Sequence, residues 1–99
     1  MCKVFEGEVI FISGMITNDP NYYAKFLKAQ EKLEEMGFIV LNPIYIPDKL
    51  KYEQQMAICF AYIDQSKYMY MLKDHKASEG SQREWNYGQA KRKKFIFED

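Results

Sequence analysis

The stretch Val9-Ile10-Phe11-Ile12, which runs directly into Ser13-Gly14, is the part of the sequence that decides the fold. It is a continuous apolar run with β-branched residues, the pattern of a parallel strand that is buried on both faces. The small residues Ser13-Gly14 predict that the strand ends there in a loop. Because parallel strands are joined by crossovers that are usually helical, strands and helices should alternate along the rest of the chain.

The first half of the chain has this alternation. Asp19-Pro20 predicts the start of a helix, with an aspartate N-cap and a proline in the first helical position. The buried face of this helix is predicted from apolar residues at helical spacing: Phe26, Ala29, Leu33 and Met36. Gly37 predicts the end of the helix. Residues 38–41 then predict a second strand, which Asn42-Pro43 ends, and residues 43–48 predict a loop.

The second half continues the pattern. A second amphipathic helix is predicted from the spacing of Tyr52, Met56, Cys59, Phe60 and Ile63. Residues 68–72 predict a third strand, and a loop from residue 73 to about residue 80 follows it. A third helix is predicted to about residue 92, and residues 94–97 predict the last strand.

A βαβαβαβ series predicts parallel strands, right-handed crossovers and helices on both faces of one sheet. The predicted fold class is therefore α/β, a small flavodoxin-like or Rossmann-like three-layer sandwich with a four-stranded parallel sheet. The chain has 99 residues, which is too few for two ordinary cores. We expect a single domain over residues 1–99.

The charge balance argues against two classes of partner. Lysine and arginine number 14, aspartate and glutamate number 14, and the formal net charge is zero. No overall field would therefore attract the protein to nucleic acid or to an acidic membrane surface. The sequence shows neither an apolar run of membrane-spanning length nor the apolar segment of a signal peptide, so we expect a cytoplasmic protein.

The cysteines and the histidine predict no metal centre. Cys2 and Cys59 are far apart and do not form a Cys-x-x-Cys pair, so neither a disulfide framework nor a zinc site is expected. His75 has no partner at ligand spacing and is expected to be a solvated loop residue. We expect no metal and no cofactor.

Three predicted loops should meet at the carboxyl edge of the sheet, where open α/β sheets bind their ligands. They are residues 13–17 after the first strand, Asn42-Pro43 after the second and residues 74–80 after the third. Gly14 would let the backbone approach a ligand closely, and neighbouring N–H groups could hold a phosphate or a sugar hydroxyl.

The most informative residue at this edge is Glu84, in the pattern Ser78-x-Gly80-x-x-x-Glu84. It falls in the first turns of the third helix, where a carboxylate can reach a ligand bound at the loop. Glu84 is the candidate catalytic residue. The candidate ligand-binding residues are Ser13, Gly14, Met15, Asn42, Pro43, Ser78, Gly80 and Ser81.

Structural roles compete with these functional ones. Glu84 could be a solvated first-turn residue that the helix dipole favours. Ser78 and Ser81 could be cap and turn residues, and for Ser81 this alternative is the favoured one. Cys59 is expected in the core, and Gly88 is expected to let the helix pack closely on the sheet.

From about Val9 to Phe97 the chain resembles the nucleoside 2-deoxyribosyltransferase-like superfamily, especially its short members, and it is also similar to deoxynucleoside 5′-monophosphate N-glycosidases. The matching pieces are Ile10-Phe11-Ile12-Ser13-Gly14, Gly37-Phe38-Ile39-Val40-Leu41-Asn42-Pro43, Met56-x-Ile58 and Gly80-x-x-x-Glu84-x-x-x-Gly88-x-Ala90. The resemblance implies cleavage of the N-glycosidic bond of a 2′-deoxynucleoside or its 5′-monophosphate. It also implies that Glu84 attacks the anomeric carbon, as the nucleophile of a retaining glycosidase does.

The resemblance carries further expectations. Monophosphate hydrolases of this kind have a serine six residues before the glutamate, and here that residue is Ser78, which favours a phosphorylated ligand. Ser13, Gly14 and Ser81 are its expected companions. Family members assemble into dimers or larger complexes, and the 16% of aromatic residues and the exposed sheet edges agree with a homo-oligomer.

Three positions depart from the family pattern. Cys59 stands where the family has an aspartate that helps protonate the departing base. Phe11 replaces a tyrosine, and Lys67 replaces a further aspartate. A thiol is a poor general acid near neutral pH, and phenylalanine offers no proton. The alternative function is therefore a non-catalytic or weakly catalytic nucleotide-binding module. A phospho-receiver domain is disfavoured, because its acidic cluster after the first strand is missing.

Overall fold

The structure is a computed structural model and describes residues 4–99. Four strands alternate with three α-helices, in the order β1 (Val9–Ser13), α1 (Tyr22–Glu35), β2 (Ile39–Leu41), α2 (Tyr52–Gln65), β3 (Tyr68–Met71), α3 (Glu79–Ala90) and β4 (Lys94–Phe97). Short 3-10 turns follow β2 and β3, at Pro43–Tyr45 and His75–Ala77. Cys2 lies outside the described residues.

The four strands form one parallel sheet with the order β2-β1-β3-β4, which confirms the predicted α/β fold class. β1 is a central strand and pairs with β2 on one side and with β3 on the other. The chain therefore changes direction across the sheet between β2 and β3. In such sheets the crevice at the carboxyl ends of the two strands beside this reversal is the usual ligand site. Here those two strands are β1 and β3.

Alternation along β1 divides the core into two layers. Ile10 and Ile12 face α1 and pack with Phe26 and Leu33. Phe11 points to the opposite face and packs with residues of α2 and β3 that include Cys59, Ile63, Met69 and Met71. Ser13 lies two residues after Phe11 and therefore shares its face, on the side of α2 and α3.

The predicted start of the first helix is wrong, because Asp19-Pro20 forms a turn rather than a cap. The Asp19 carboxylate accepts a hydrogen bond from the Asn21 N–H at 2.9 Å and pairs with Lys25, and α1 begins only at Tyr22. The predicted end is confirmed: Gly37 has a φ of +100°, which glycine adopts without strain.

His75 is not the solvated loop residue that the sequence predicts. Its Nδ1 lies 2.7 Å from the carbonyl oxygen of Leu72, and its ring lies 6.1 Å from that of Trp85. Gly88 has the predicted packing role, since a Cβ there would overlap the side chain of Met69 on β3.

The edge strands β2 and β4 carry exposed apolar side chains, Ile39 and Phe97. They are compatible with the expected homo-oligomer, which stays a prediction, as does the single domain. No helix formed by residues 4–99 has both the length and the apolar character that a membrane span requires.

Candidate active site

A cleft of about 470 Å³ opens at the carboxyl ends of β1 and β3. The β1–α1 loop forms one wall, the first turns of α2 form a second, and the start of α3 forms a third. Its lining residues are Gly14, Met15, Ile16, Thr17, Asn18, Pro43, Tyr52, Gln55, Met56, Cys59, Ala77, Ser78, Glu79, Gly80, Ser81 and Glu84.

Glu84 lies at the bottom of this cleft with only 7% of its surface exposed. The hydroxyl of Ser13 donates a hydrogen bond to its Oε1 at 2.7 Å. The Oγ of Ser13 also lies 2.5 Å from the Oγ of Ser81. Because the Ser13 hydroxyl has a single proton, which it gives to Glu84, Ser81 donates to Ser13. Two serines thus form a directed chain that fixes one carboxylate oxygen.

The sequence of α3 explains how a carboxylate comes to be buried. Ser78 caps the helix, since its Oγ accepts a hydrogen bond from the N–H of Ser81 at 3.1 Å. The buried residues of α3 are Ser81, Glu84 and Gly88, at helical spacing. Because the first and last of these are small, the helix lies close to the sheet, and Glu84 reaches the end of β1.

Burial has a direct electrostatic effect on Glu84. Removal of the carboxylate from water raises its pKa to about 7, against an ordinary value of 4.5. Hydrogen bonds from Ser13 and Cys59, and the positive charge of Arg83, oppose this rise. Near neutral pH the protonated and ionised forms of the side chain are therefore both populated, as is common for catalytic carboxyl groups.

Cys59 is the second residue that lowers the pKa of Glu84. Burial, and then the negative charge of Glu84, raise the pKa of the Cys59 thiol well above its usual range. The thiol therefore keeps its proton at neutral pH. Cys59 is buried in the core, as the sequence predicts, but it also lines the cleft.

The β1–α1 loop is fixed through the backbone of Met15. Its N–H donates to Oδ1 of Asp74 at 2.9 Å, and its carbonyl oxygen accepts from Nζ of Lys25 at 3.2 Å. Lys25 also pairs with Asp19 at 2.5 Å and with Asp74. One ammonium group thus joins the loop after β1 to the loop after β3.

Gly14 brings this loop against the sheet. A Cβ at Gly14 would lie 2.6 Å from Cδ1 of the buried Leu72, so a larger residue would push the loop away. The glycine at this position serves the close approach of loop and sheet.

Seven of the predicted residues line the cleft: Gly14, Met15, Pro43, Ser78, Gly80, Ser81 and Glu84. Ser13 does not line the cleft: it is fully buried and donates its hydrogen bond to Glu84. Asn42 does not line the cleft. Its amide donates to Gln30 Oε1 at 2.9 Å and its Oδ1 accepts from the Ile44 N–H at 3.2 Å, which stabilises the turn after β2.

The wall formed by α2 was missed from the sequence. Tyr52, Gln55 and Met56 line the cleft, whereas the spacing of Tyr52 and Met56 predicts only a core-facing helix surface. The spacing does place Tyr52 and Met56 on the same helix face as Cys59, which also lines the cleft. What the spacing does not reveal is that this end of α2 lies across the cleft from the loops after β1 and β3.

Two of the three residues that differ from the pattern of the resembled family, Phe11 and Lys67, do not line the cleft. Phe11 is fully buried, and its ring lies 6.2 Å from that of Tyr62. Lys67 is largely exposed, with its Nζ 3.7 Å from Glu8. Among residues 4–99 no group of histidine, cysteine, aspartate and glutamate side chains is arranged to hold a metal ion.

A family model described as "Domain of unknown function (DUF4406)" matches residues 8–97. Among solved structures, the chain is similar to a 2-desoxiribosyltransferase from Leishmania mexicana, with a TM-score of 0.73 and 15% sequence identity. The match covers 91% of this chain but only 63% of that enzyme, and at this identity it shows a shared fold. No curated protein matches the sequence.

The raised pKa of Glu84 makes the stability of the fold depend on pH. With a pKa of about 7 when folded and 4.5 as the ordinary value, the folded state holds an extra proton between these pH values. Stability is therefore lost as pH rises through this interval. As pH rises from 5 to 8, the free energy of unfolding of Glu84→Gln should increase by about 2–3 kcal/mol relative to that of wild type. Urea unfolding at each pH measures this difference.

Glu31→Gln, at an exposed position on α1, is the matched control and should show no such gain. Parallel stability curves for Glu84→Gln and wild type across this pH range would contradict the prediction.

The ammonium group of Lys25 joins the loop after β1 to the loop after β3. Lys25→Met removes charge-assisted hydrogen bonds to Met15, Asp19 and Asp74, so the β1–α1 loop should open more often. Amide hydrogen exchange at Met15 should accelerate about tenfold, since such bonds contribute about 1.5–3 kcal/mol. Lys28→Met, at an exposed position on the same helix, should leave the exchange rate unchanged. Equal rates in both variants would show that Lys25 does not hold the loop.

Proposed function

The chain belongs to the DUF4406 family of domains of unknown function, and we propose that it cleaves the N-glycosidic bond of a 2′-deoxynucleoside or its 5′-monophosphate. The observation that carries the proposal is the buried carboxylate of Glu84 at the bottom of the cleft, held by Ser13. The similarity in fold to a 2-desoxiribosyltransferase supports this class of reaction.

In the proposed reaction Glu84 acts as a nucleophile. The carboxylate forms a bond to C1′ of the sugar, while the bond from C1′ to the base nitrogen breaks and its electron pair leaves with the base. The base takes a proton, and a deoxyribosyl ester of Glu84 remains. Water or a second base then forms a bond to C1′, loses a proton and restores the carboxylate. Two displacements at C1′ retain its configuration.

The surroundings of Glu84 suit this role. Ser13 occupies Oε1 as a hydrogen-bond donor, and fixing one oxygen orients the other carboxylate oxygen for attack. Burial raises the basicity of the carboxylate, since less water stabilises its negative charge. The same hydrogen bonds that orient Glu84 keep part of it ionised near neutral pH.

A second candidate function is nucleotide binding without turnover, and Cys59 favours it. At the position of Cys59 the resemblance implies an acid that would protonate the leaving base, whereas burial raises the pKa of this thiol, so it is a weak proton donor. Phe11, where the resemblance implies a tyrosine, offers no hydroxyl. Under this alternative a nucleoside or nucleotide raises the Tm, yet no base is released.

A base-release assay tests the proposal. Purine and pyrimidine 2′-deoxynucleosides and their 5′-monophosphates are incubated with the protein, and free base is measured by chromatography. Wild type should release base and Glu84→Gln should not, because an amide is a poor nucleophile. Glu31→Gln, remote from the cleft on α1, should retain the wild-type rate. Ligand-dependent stabilisation without release by wild type would instead support the binding module.

The pH profile of turnover tests how Glu84 is tuned. Since the ionised carboxylate attacks, kcat/KM should rise as pH increases through about 7 and level off above it. Ser13→Ala removes a hydrogen bond that favours ionisation, so the midpoint should move upward by about one pH unit.

Ser66→Ala provides the control for that profile. This serine is also buried and donates a hydrogen bond, to the carbonyl oxygen of Tyr62 at 2.8 Å, but it lies outside the cleft. Its midpoint should equal that of wild type. A Ser13→Ala midpoint at the wild-type pH would show that Ser13 does not tune Glu84.

A further inference from the structure

The charges on the cleft wall bear on the charge of its ligand. Two glutamates, Glu79 and Glu84, are among the lining residues given above, and those residues include neither lysine nor arginine. Glu84 lies at the bottom of the cleft, and Glu79 is exposed at its rim, in the first turn of α3. The ionised groups of the wall are therefore negative.

Two neighbouring cations, Lys25 and Arg83, are engaged with carboxylates. Lys25 lies between Asp19 and Asp74. Arg83 forms a two-point ion pair with Glu53, at 2.9 and 3.1 Å, and its guanidinium lies 5.5 Å from the ring of Tyr52. To meet a phosphate in the cleft, either cation would first have to leave these partners.

Two of the N–H groups at the start of α3 are also occupied by groups of the protein. The N–H of Ser81 donates to the Ser78 side chain at 3.1 Å, and the N–H of Gln82 donates to the Ser78 carbonyl oxygen at 3.0 Å. The carboxylate of Glu79 takes the place in the first turn where the helix dipole favours an anion. A phosphate near Ser78 would lie beside this carboxylate.

From these charges we infer that the cleft takes an uncharged 2′-deoxynucleoside and discriminates against its 5′-monophosphate. The inference rests on the proposed function and selects between its two substrate classes. It reverses the preference that Ser78 suggests from the sequence. The hydroxyl proton of Ser78 is not used by its capping bond, so Ser78 can donate to a neutral sugar oxygen instead.

A phosphate monoester carries about −1.5 to −2 charges at pH 7, whereas a 5′-hydroxyl carries none. Its repulsion from Glu79 and Glu84 acts inside a partly closed cleft, where water screens charges less than in bulk. We therefore expect kcat/KM for the nucleoside to exceed that for the monophosphate of the same base at least tenfold. The preference should weaken as salt is added.

The experiment compares each 2′-deoxynucleoside with its own 5′-monophosphate in the base-release assay, with wild type and with Glu79→Lys. The substitution makes the charge at the rim more positive by two units. It should raise kcat/KM for the monophosphate relative to that for the nucleoside about tenfold. Glu31→Lys makes the same charge change on α1, away from the cleft, and should leave the ratio at its wild-type value.

The outcomes separate this inference from the proposed function. Cleavage of the monophosphate as fast as the nucleoside, or faster, overturns the inference while the proposed reaction stands. Release from neither substrate overturns the proposed reaction, and thermal shift then decides the inference. A rise in Tm with deoxynucleoside alone supports it, whereas a rise with the monophosphate or with neither ligand overturns it.

Discussion

The hydrogen bond from Ser13 to Glu84 joins the last residue of a central strand to the middle of the final long helix. Because Ser13 belongs to the sheet and Glu84 to the helix, the bond forms only when α3 lies close to β1. Small residues on the buried face of α3 make this approach possible. The shape of the cleft and the ionisation of Glu84 both follow from that approach.

Burial of a carboxylate opposes stability, and the rest of the fold must compensate. Ser13 and Cys59 both lower the pKa of Glu84, but desolvation remains the largest influence on it. A protein under selection for stability alone would place an apolar residue at a position that is 7% exposed. Retention of an ionisable group there is the physical reason to regard the position as functional.

The sequence predicted the features that depend on local patterns. The apolar run at Val9 and the glycine at position 37 predicted a buried strand and a helix end, and the structure has both. Asp19 was misread, because its side chain pairs with Lys25 rather than capping the helix. The roles of Asn42 and Gln55 depend on which loops meet in space, and residue spacing along the chain carries no such information.

Ser13 and Glu84 are separated by 71 positions in the sequence, so the site is built almost entirely from distant contacts. Loops of this length close slowly during folding, since their entropy must be lost before their contacts form. A chain in which α3 has not yet packed against β1 therefore lacks the contact between Ser13 and Glu84. The cleft and its buried carboxylate are therefore complete only after α3 has packed against the sheet.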